Sequence, residues 1–421
     1  MNNKKFEYKW VIVAICTLMV CACLGFCNSA KSLYVGPVSE ALNIKRSVFS
    51  LNDTIRYLST ALANLFFGKL IARFKAKALI MFGFVCVAGA SVIFAIANVA
   101  PIFFIGSFLL GVGLCFTTTT MVGKVVTKWF NKGKGTIMGF VLASSGVGGA
   151  IASKVLAPII YQENNPLGYK DSYLLCALIV AVVGVMALIL FKENPPQPID
   201  TTVQDTKTKK RTISWRGLDY ATALKKPYFY ASIVFVFLSG VALQGMSGSA
   251  ATHIKDVGID AGFVSTVLSI HMIVLACSKF LTGFIYDKFG LRTTVIICSI
   301  TGIASMLVLT GVTNDFNGKI LAVCYGVIGA FALPMETVLI PLYASDLLGQ
   351  RSFDKALGVY AAVNTAGFAL GAPIINGFFD ATGSYKYGFI LFAVIMVIVL
   401  VGFQFVINCA KKEQRKEQEL N

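Results

Sequence analysis

Twelve long apolar runs divide this chain, and no other feature limits its fold as sharply. Their rough bounds are 10–34, 48–72, 77–98, 100–124, 135–160, 171–191, 229–252, 262–286, 292–312, 318–345, 356–379 and 387–409. A helix that crosses a bilayer needs about 20 mostly apolar residues, and each run supplies them. Composition agrees. Of 421 residues, 56% are hydrophobic and 14% charged, with a mean hydropathy of +0.75, whereas a soluble domain carries about 25% charged residues. A soluble enzyme, a disordered chain and a secreted disulfide scaffold are thereby excluded. The expected fold is all-α, a polytopic membrane protein of 12 transmembrane helices. Gly and Pro inside the runs are tolerated in membrane helices. The start, MNNKKFEYKW then VIVAICTLMVCACLGF, has the outline of a signal peptide. Its apolar run is long and no clean small-residue cleavage site follows, so it reads as the first span.

One hydrophilic stretch, 192–227, separates six spans from six. The expected organisation is an N-terminal six-helix bundle (1–191), a central loop (192–227), a C-terminal six-helix bundle (228–410) and a tail (411–421). The loop is basic and lacks an apolar period, so it reads as a tether with a short surface helix near 213–224. The tail reads as a solvated charged end. Orientation follows from Lys and Arg bias between loops. With both termini inside, 25 of the 37 Lys and Arg fall on inner segments and 6 on outer loops. The net charge of +17 is then mostly a topogenic signal and not a nucleic-acid surface. The expected location is the cytoplasmic membrane, with both termini cytoplasmic and the lipid bilayer as the main surroundings.

Eleven Cys lie mostly inside apolar runs with no paired CxxC spacing, so they read as small packing residues; no metal or cofactor is expected. No nucleotide loop, HExxH or GxSxG is present, and an enzyme is not expected.

The halves are related. At an offset of 215 residues Gly68, Arg73, Phe74 and Lys77 fall on Gly283, Lys288, Phe289 and Arg292. Ala157-Pro158-Ile159-Ile160 falls on Ala372-Pro373-Ile374-Ile375, and Gly168 on Gly383. Such repeats mark pseudo-symmetric secondary transporters.

The loop Gly283-Phe284-Ile285-Tyr286-Asp287-Lys288-Phe289-Gly290-Leu291-Arg292 resembles the Gly-x-x-x-Asp-Arg/Lys-x-Gly-x-Arg signature of the major facilitator superfamily. The resemblance implies two six-helix bundles around a central site, with alternating access. Gly283, Asp287, Lys288 and Arg292 are the implied gating residues. In the equivalent loop of the first half Ala72 stands where the acid is expected and Lys75 where the glycine is. Lys128-Trp129-Phe130-Asn131-Lys132-Gly133-Lys134-Gly135, followed by Gly139, Gly146, Gly148 and Gly149, resembles the branch of oxalate:formate antiporters and monocarboxylate transporters. Pro341 and Ser345-Asp346-Leu347-Leu348-Gly349 resemble the end of that branch's tenth span.

Ionisable groups inside spans mark function by default. Lys279 lies eight residues from Asp287, about 12 Å along a helix and near mid-depth. The branch places a carboxylate-binding arginine there, so the resemblance implies that Lys279 binds an organic anion; pairing with Glu336 is the alternative. Glu336 lies ten residues before Asp346, also near mid-depth and between Pro334 and Pro341. It is a candidate proton carrier or a static ion-pair partner. His271, two turns from Lys279 on one stripe, is a candidate proton relay or a packed histidine. Asn364 stands where the antiporters carry a second lysine. One cation fewer favours monocarboxylates. Thr119, Ser145 and Thr337 are candidate cavity groups, the first and last where the antiporters have aromatics.

Asp53 and Arg56, three apart, share a helix face and read as a pair. With Lys31 they form a candidate set of outer-mouth charges. Lys31, Lys69, Lys124 and Lys154 lie nearer span ends, where long side chains snorkel. The expected function is secondary transport of small organic anions, foremost proton-coupled monocarboxylates, by a monomer. A dicarboxylate/monocarboxylate exchanger and a drug or metabolite exporter are the alternatives. Lys279 would repel a cationic cargo.

Overall fold

The computed structural model describes residues 8–29, 31–44, 46–130, 132–161, 165, 167–193 and 217–419. Residues 194–216, most of the central loop, lie outside the described residues, as does Asn131.

In chain order the first half comprises α1 (Lys9–Val20), which continues as a π-helix over Cys21–Ser29, α2 (Val35–Ala41), α3 (Arg46–Arg73), α4 (Ala76–Ile96), α5 (Ala100–Thr117), α6 (Thr119–Trp129), α7 (Lys134–Ile160) and α8 (Gly168–Leu190). The short α9 (Tyr220–Ala223) precedes the second half: α10 (Pro227–Asp256), α11 (Ala261–Thr310), α12 (Phe316–Ile328), α13 (Leu339–Leu348), α14 (Phe353–Thr382) and α15 (Lys386–Glu419).

Ten helices among the described residues are long and apolar enough to cross a membrane. One of them, α11, is 50 residues long and bends at Gly290, whose φ of 79° leaves the helical region. It therefore supplies spans eight and nine. Glycine occupies this left-handed backbone position without a steric penalty. The second span, α3, runs 28 residues but carries Asp53, Arg56 and Lys69, which keeps it outside the apolar set. The twelve expected spans are thus accounted for in a multi-pass membrane protein.

Two spans are broken. Span four changes from α5 to α6 at Thr118, whose φ of −127° and ψ of −140° are not helical. Span ten loses its α-helix at Gly329–Phe331 and Leu333–Glu336, which are 3-10 turns, and resumes at α13. Pro334 lacks an N–H, so a regular ladder cannot run through this point.

Within the first half α4 packs on α5 and α8, and within the second α10 packs on α14 and α15. Between the halves, α11 lies along α7 and α14 along α3. These two crossings are the pseudo-symmetric seams expected of the duplication, and Pro158 and Pro373 sit at matching places inside α7 and α14.

The tail is charged and exposed at Lys411, Lys412, Arg415 and Lys416, and it is helical, because α15 continues through Glu419. The Glu413 carboxylate pairs with Lys226 at 3.0 Å, and Gln414 Nε2 donates to the Asp346 carbonyl at 2.8 Å. The end of the central loop also docks here: Leu218 N donates to the Leu348 carbonyl at 3.0 Å. Of the surface helix expected near 213–224, residues 213–216 lie outside the described residues, and the rest holds one turn, α9, capped by Asp219.

Candidate functional site

Lys279 sits in the middle of span eight with 7% of its surface exposed. The backbone around it lies hard against α7. A Cβ at Gly139 would stand 2.2 Å from the Lys279 carbonyl oxygen, so only glycine admits this approach. The closeness lets the ammonium reach the other half. Nζ donates to Ser145 Oγ at 2.8 Å and, more weakly, to the Leu142 carbonyl at 3.4 Å. A cation of the second half is therefore held by neutral acceptors of the first.

Glu336 ends the 3-10 turn of span ten and is 6% exposed. Its carboxylate and Lys279 interact electrostatically. Among the described residues, however, no contact within 4.0 Å joins them, so the static ion pair is not formed. Instead Glu336 Oε1 is buried without a hydrogen-bond partner, and so are Thr337 Oγ1 and Asn364 Oδ1. These atoms belong to one neighbourhood: Asn364 Nδ2 donates to the Glu336 carbonyl at 3.1 Å. Buried polar groups are nearly always paired, so three unpaired polar atoms beside a broken helix require an explanation.

The remaining candidates are dispersed. Thr119 opens α6 after the break and is half-buried, with no hydrogen bond to Lys279 among the described residues. The His271 ring stacks on Tyr325 at 5.5 Å, and its Nδ1 lies 3.1 Å from the Gly326 carbonyl, so it is held by packing. Because a carbonyl only accepts, Nδ1 carries the proton. Its Nε2 is buried and unpaired.

At the far end of span eight, Asp287 accepts from Gly135 N at 3.0 Å, Thr136 N at 2.7 Å and Thr136 Oγ1 at 2.6 Å. It caps the N-terminus of α7, where unpaired amides and the helix dipole favour an anion. Lys288 lies over the Phe289 ring, and Arg292 donates to Asn408 Oδ1. Gly283 meets Gly135 backbone to backbone. Of the charges placed at the outer mouth, Asp53 and Arg56 do pair, at 3.1 Å, but Arg56 is 6% exposed and so lies inside the first half. Lys31 opens the 3-10 turn Lys31–Tyr34, and its side chain lies outside the described residues.

Two contacts escape sequence reasoning. Lys124 was expected to snorkel but pairs with Asp354 of α14 at 2.6 Å, joining the halves. A faint signal exists: both lie about one turn from a span boundary on the side of the Gly283–Arg292 loop. Tyr286, whose hydroxyl donates to Asp346 at 2.6 Å, was likewise not singled out.

The chain's likeness to known proteins fits this geometry. The family model of the Major Facilitator Superfamily matches residues 12–255 and 233–420. An uncharacterized MFS-type transporter, YcxA of Bacillus subtilis, is 22% identical, covering 97% of this chain and 97% of that protein. Human monocarboxylate transporter 2 is 22% identical over 80% of this chain and 73% of its own length. The sialic acid transporter NanX of Escherichia coli is 21% identical, with 84% of each chain covered. Among solved structures, the E. coli fucose:proton symporter FucP superposes with a TM-score of 0.72 at 14% identity, over 95% of this chain and 99% of that one. The proton:xylose symporter XylE gives 0.73 at 15% identity, over 95% and 96%. The chain resembles the monocarboxylate branch in sequence and the sugar symporters in fold. With two overlapping matches that together span nearly its whole length, it belongs to the Major Facilitator Superfamily and is a transporter, not an enzyme.

Proposed function

We propose that this transporter carries small monocarboxylate anions with protons across the cytoplasmic membrane by alternating access, its termini on the cytoplasmic side. The observation that carries the reading is Lys279. It is a buried cation at mid-span whose only hydrogen-bond partners among the described residues are a hydroxyl and a carbonyl. Removing a charge from water is costly unless an opposite charge meets it. A substrate carboxylate is that counter-charge. In binding, it draws the Lys279 N–H donors away from the acceptors Ser145 Oγ and Leu142 carbonyl and so loosens a contact between the halves.

Asn364 and Thr337 are the polar groups placed to hold the remainder of the substrate, and the single cation suits one carboxylate. Glu336 is the proton carrier of this reading. Its carboxylate shares the field of Lys279, so loading the cation with an anion changes what a proton on Glu336 is worth. Support comes from relatives named for monocarboxylates and sialic acid, both carboxylates, and from solved folds named as proton symporters.

The test combines thermal stabilisation of the purified protein with uptake into proteoliposomes. Ligands that prefer the folded state raise the melting temperature by mass action. Small monocarboxylates should stabilise the wild type, and Lys279→Gln should weaken their binding at least about tenfold, the loss of a charge-assisted hydrogen bond. Glu336→Gln should retain exchange but lose accumulation driven by a pH gradient. Stabilisation by lipophilic cations alone, or equal action of carboxylates on wild type and Lys279→Gln, would overturn the assignment in favour of an exporter.

A further inference from the structure

A cavity of about 190 Å³ lies inside the first half, walled by the π-helical part of span one together with α3, α4, α5 and α8. No residue of the second half lines it, and neither does Ser145, so it is separate from the Lys279 neighbourhood. Its size is telling. An apolar cavity of about 150 Å³ takes up benzene, so this one holds a single ring with a small substituent.

Its walls have two characters. On one side Phe94 stacks on Phe103 at 5.5 Å between ring centroids and meets Tyr173 at 5.1 Å, forming an aromatic wall. The other side is polar but electrically balanced, because Arg56 is already bonded to Asp53 at 3.1 Å. A net anion or cation gains little there. The unbalanced group is Asn28. Its Oδ1 is buried and accepts no hydrogen bond from any described residue. Asn28 sits on the π-helix Cys21–Ser29, and such widened turns are frequent at functional sites because they re-aim side chains. An aromatic box, no net charge and one orphaned acceptor define a complementary molecule.

We propose that this cavity is a second binding site, distinct from the transport site, for a small neutral ring compound bearing a hydrogen-bond donor, the phenol class. The ring fills the space beside Phe94, Phe103 and Tyr173, and its O–H donates to Asn28 Oδ1.

The experiment is calorimetric titration of the full chain in nanodiscs with phenol and with its methyl ether, anisole, which keeps the ring and lacks the donor. Empty nanodiscs report partition into lipid. Phenol should bind saturably and about tenfold more tightly than anisole. Asn28→Ala should abolish that difference while leaving anisole unchanged, and Leu110→Trp, which fills the cavity, should remove both. Saturable phenol binding should persist in the presence of a monocarboxylate. Absence of binding to the wild type beyond the empty disc means that the cavity holds only water and overturns the proposal. Equal affinity for phenol and anisole, or phenol binding that survives Leu110→Trp, overturns it as well. The wild-type comparison decides the matter even where a variant fails to fold.

Discussion

The two seams between the halves occupy equivalent places but are fastened differently. Where α11 meets α7, the intact loop supplies Asp287, whose carboxylate takes two backbone amides and a hydroxyl at the start of α7. Where α3 meets α14, the matching position is Ala72, which is exposed and offers nothing to the start of α14. That seam relies on close backbone approach, with a Cβ at Gly358 falling 2.5 Å from the Asn64 carbonyl, and on the Lys124–Asp354 pair at 2.6 Å. The pair comes from α6, a different helix. The duplication has kept the shape of the crossing and replaced its chemistry. Both seams are held by close glycine approach; one adds an anion on a helix terminus, the other a salt bridge a quarter to a third exposed.

Local opening at the start of α7 and of α14, read by hydrogen–deuterium exchange, puts this contrast to the test. The largest effect is expected from Gly283→Ala. Its Cβ would lie 2.0 Å from the Gly135 carbonyl, so the seam must part. Overpacking of this kind costs about 1–3 kcal/mol, and amides 134–142 should lose protection by roughly tenfold or more. Next is Asp287→Ala, which removes an exposed capping carboxylate and should cost about 0.5–2 kcal/mol at α7 while leaving α14 protected. Equal deprotection of both seams would mean that they open as one unit. The smallest effect belongs to Lys124→Met. Its pair is about a quarter to a third exposed, so screening holds the loss to about 0.5–1 kcal/mol, confined to α14 and shrinking further in high salt. A loss at α14 as large as that of Asp287→Ala at α7 would show the salt bridge, not the glycine contact, to be the main fastening.

How much of this was readable in advance depended on distance along the chain. The spans are local patterns, and twelve apolar runs recover them. Mid-depth placement of Lys279 and Glu336 needed only the rise of a helix. What they touch did not follow. Ser145 lies 134 residues from Lys279, and no periodicity states that the ammonium prefers it to Glu336. The break in span ten could be anticipated from Pro334 and Pro341, because proline has no N–H to give. The π-helical stretch of span one carries no such residue, so the cavity beside it was invisible. Arg56 shows the same limit. Spacing paired it correctly with Asp53, but burial among α3's neighbours is a tertiary outcome. Lys124 was misjudged because snorkelling and inter-half pairing use the same stem length near a span end, and only its unseen neighbour separates them.

The extent of α15 has a practical consequence. Its 34 residues span about 51 Å, well beyond the roughly 30 Å of hydrocarbon that a bilayer presents. Glu413 and Gln414 anchor the projecting turns to Lys226 and to the end of span ten, so the final stretch is a rod fixed to one half rather than a loose string. A helical fusion partner that continues from Glu419 in register would inherit that fixed direction. A 45.3 kDa chain with no large soluble domain among its described residues would thereby gain an alignment handle for imaging, one that reports the tilt of the second half as the transporter cycles.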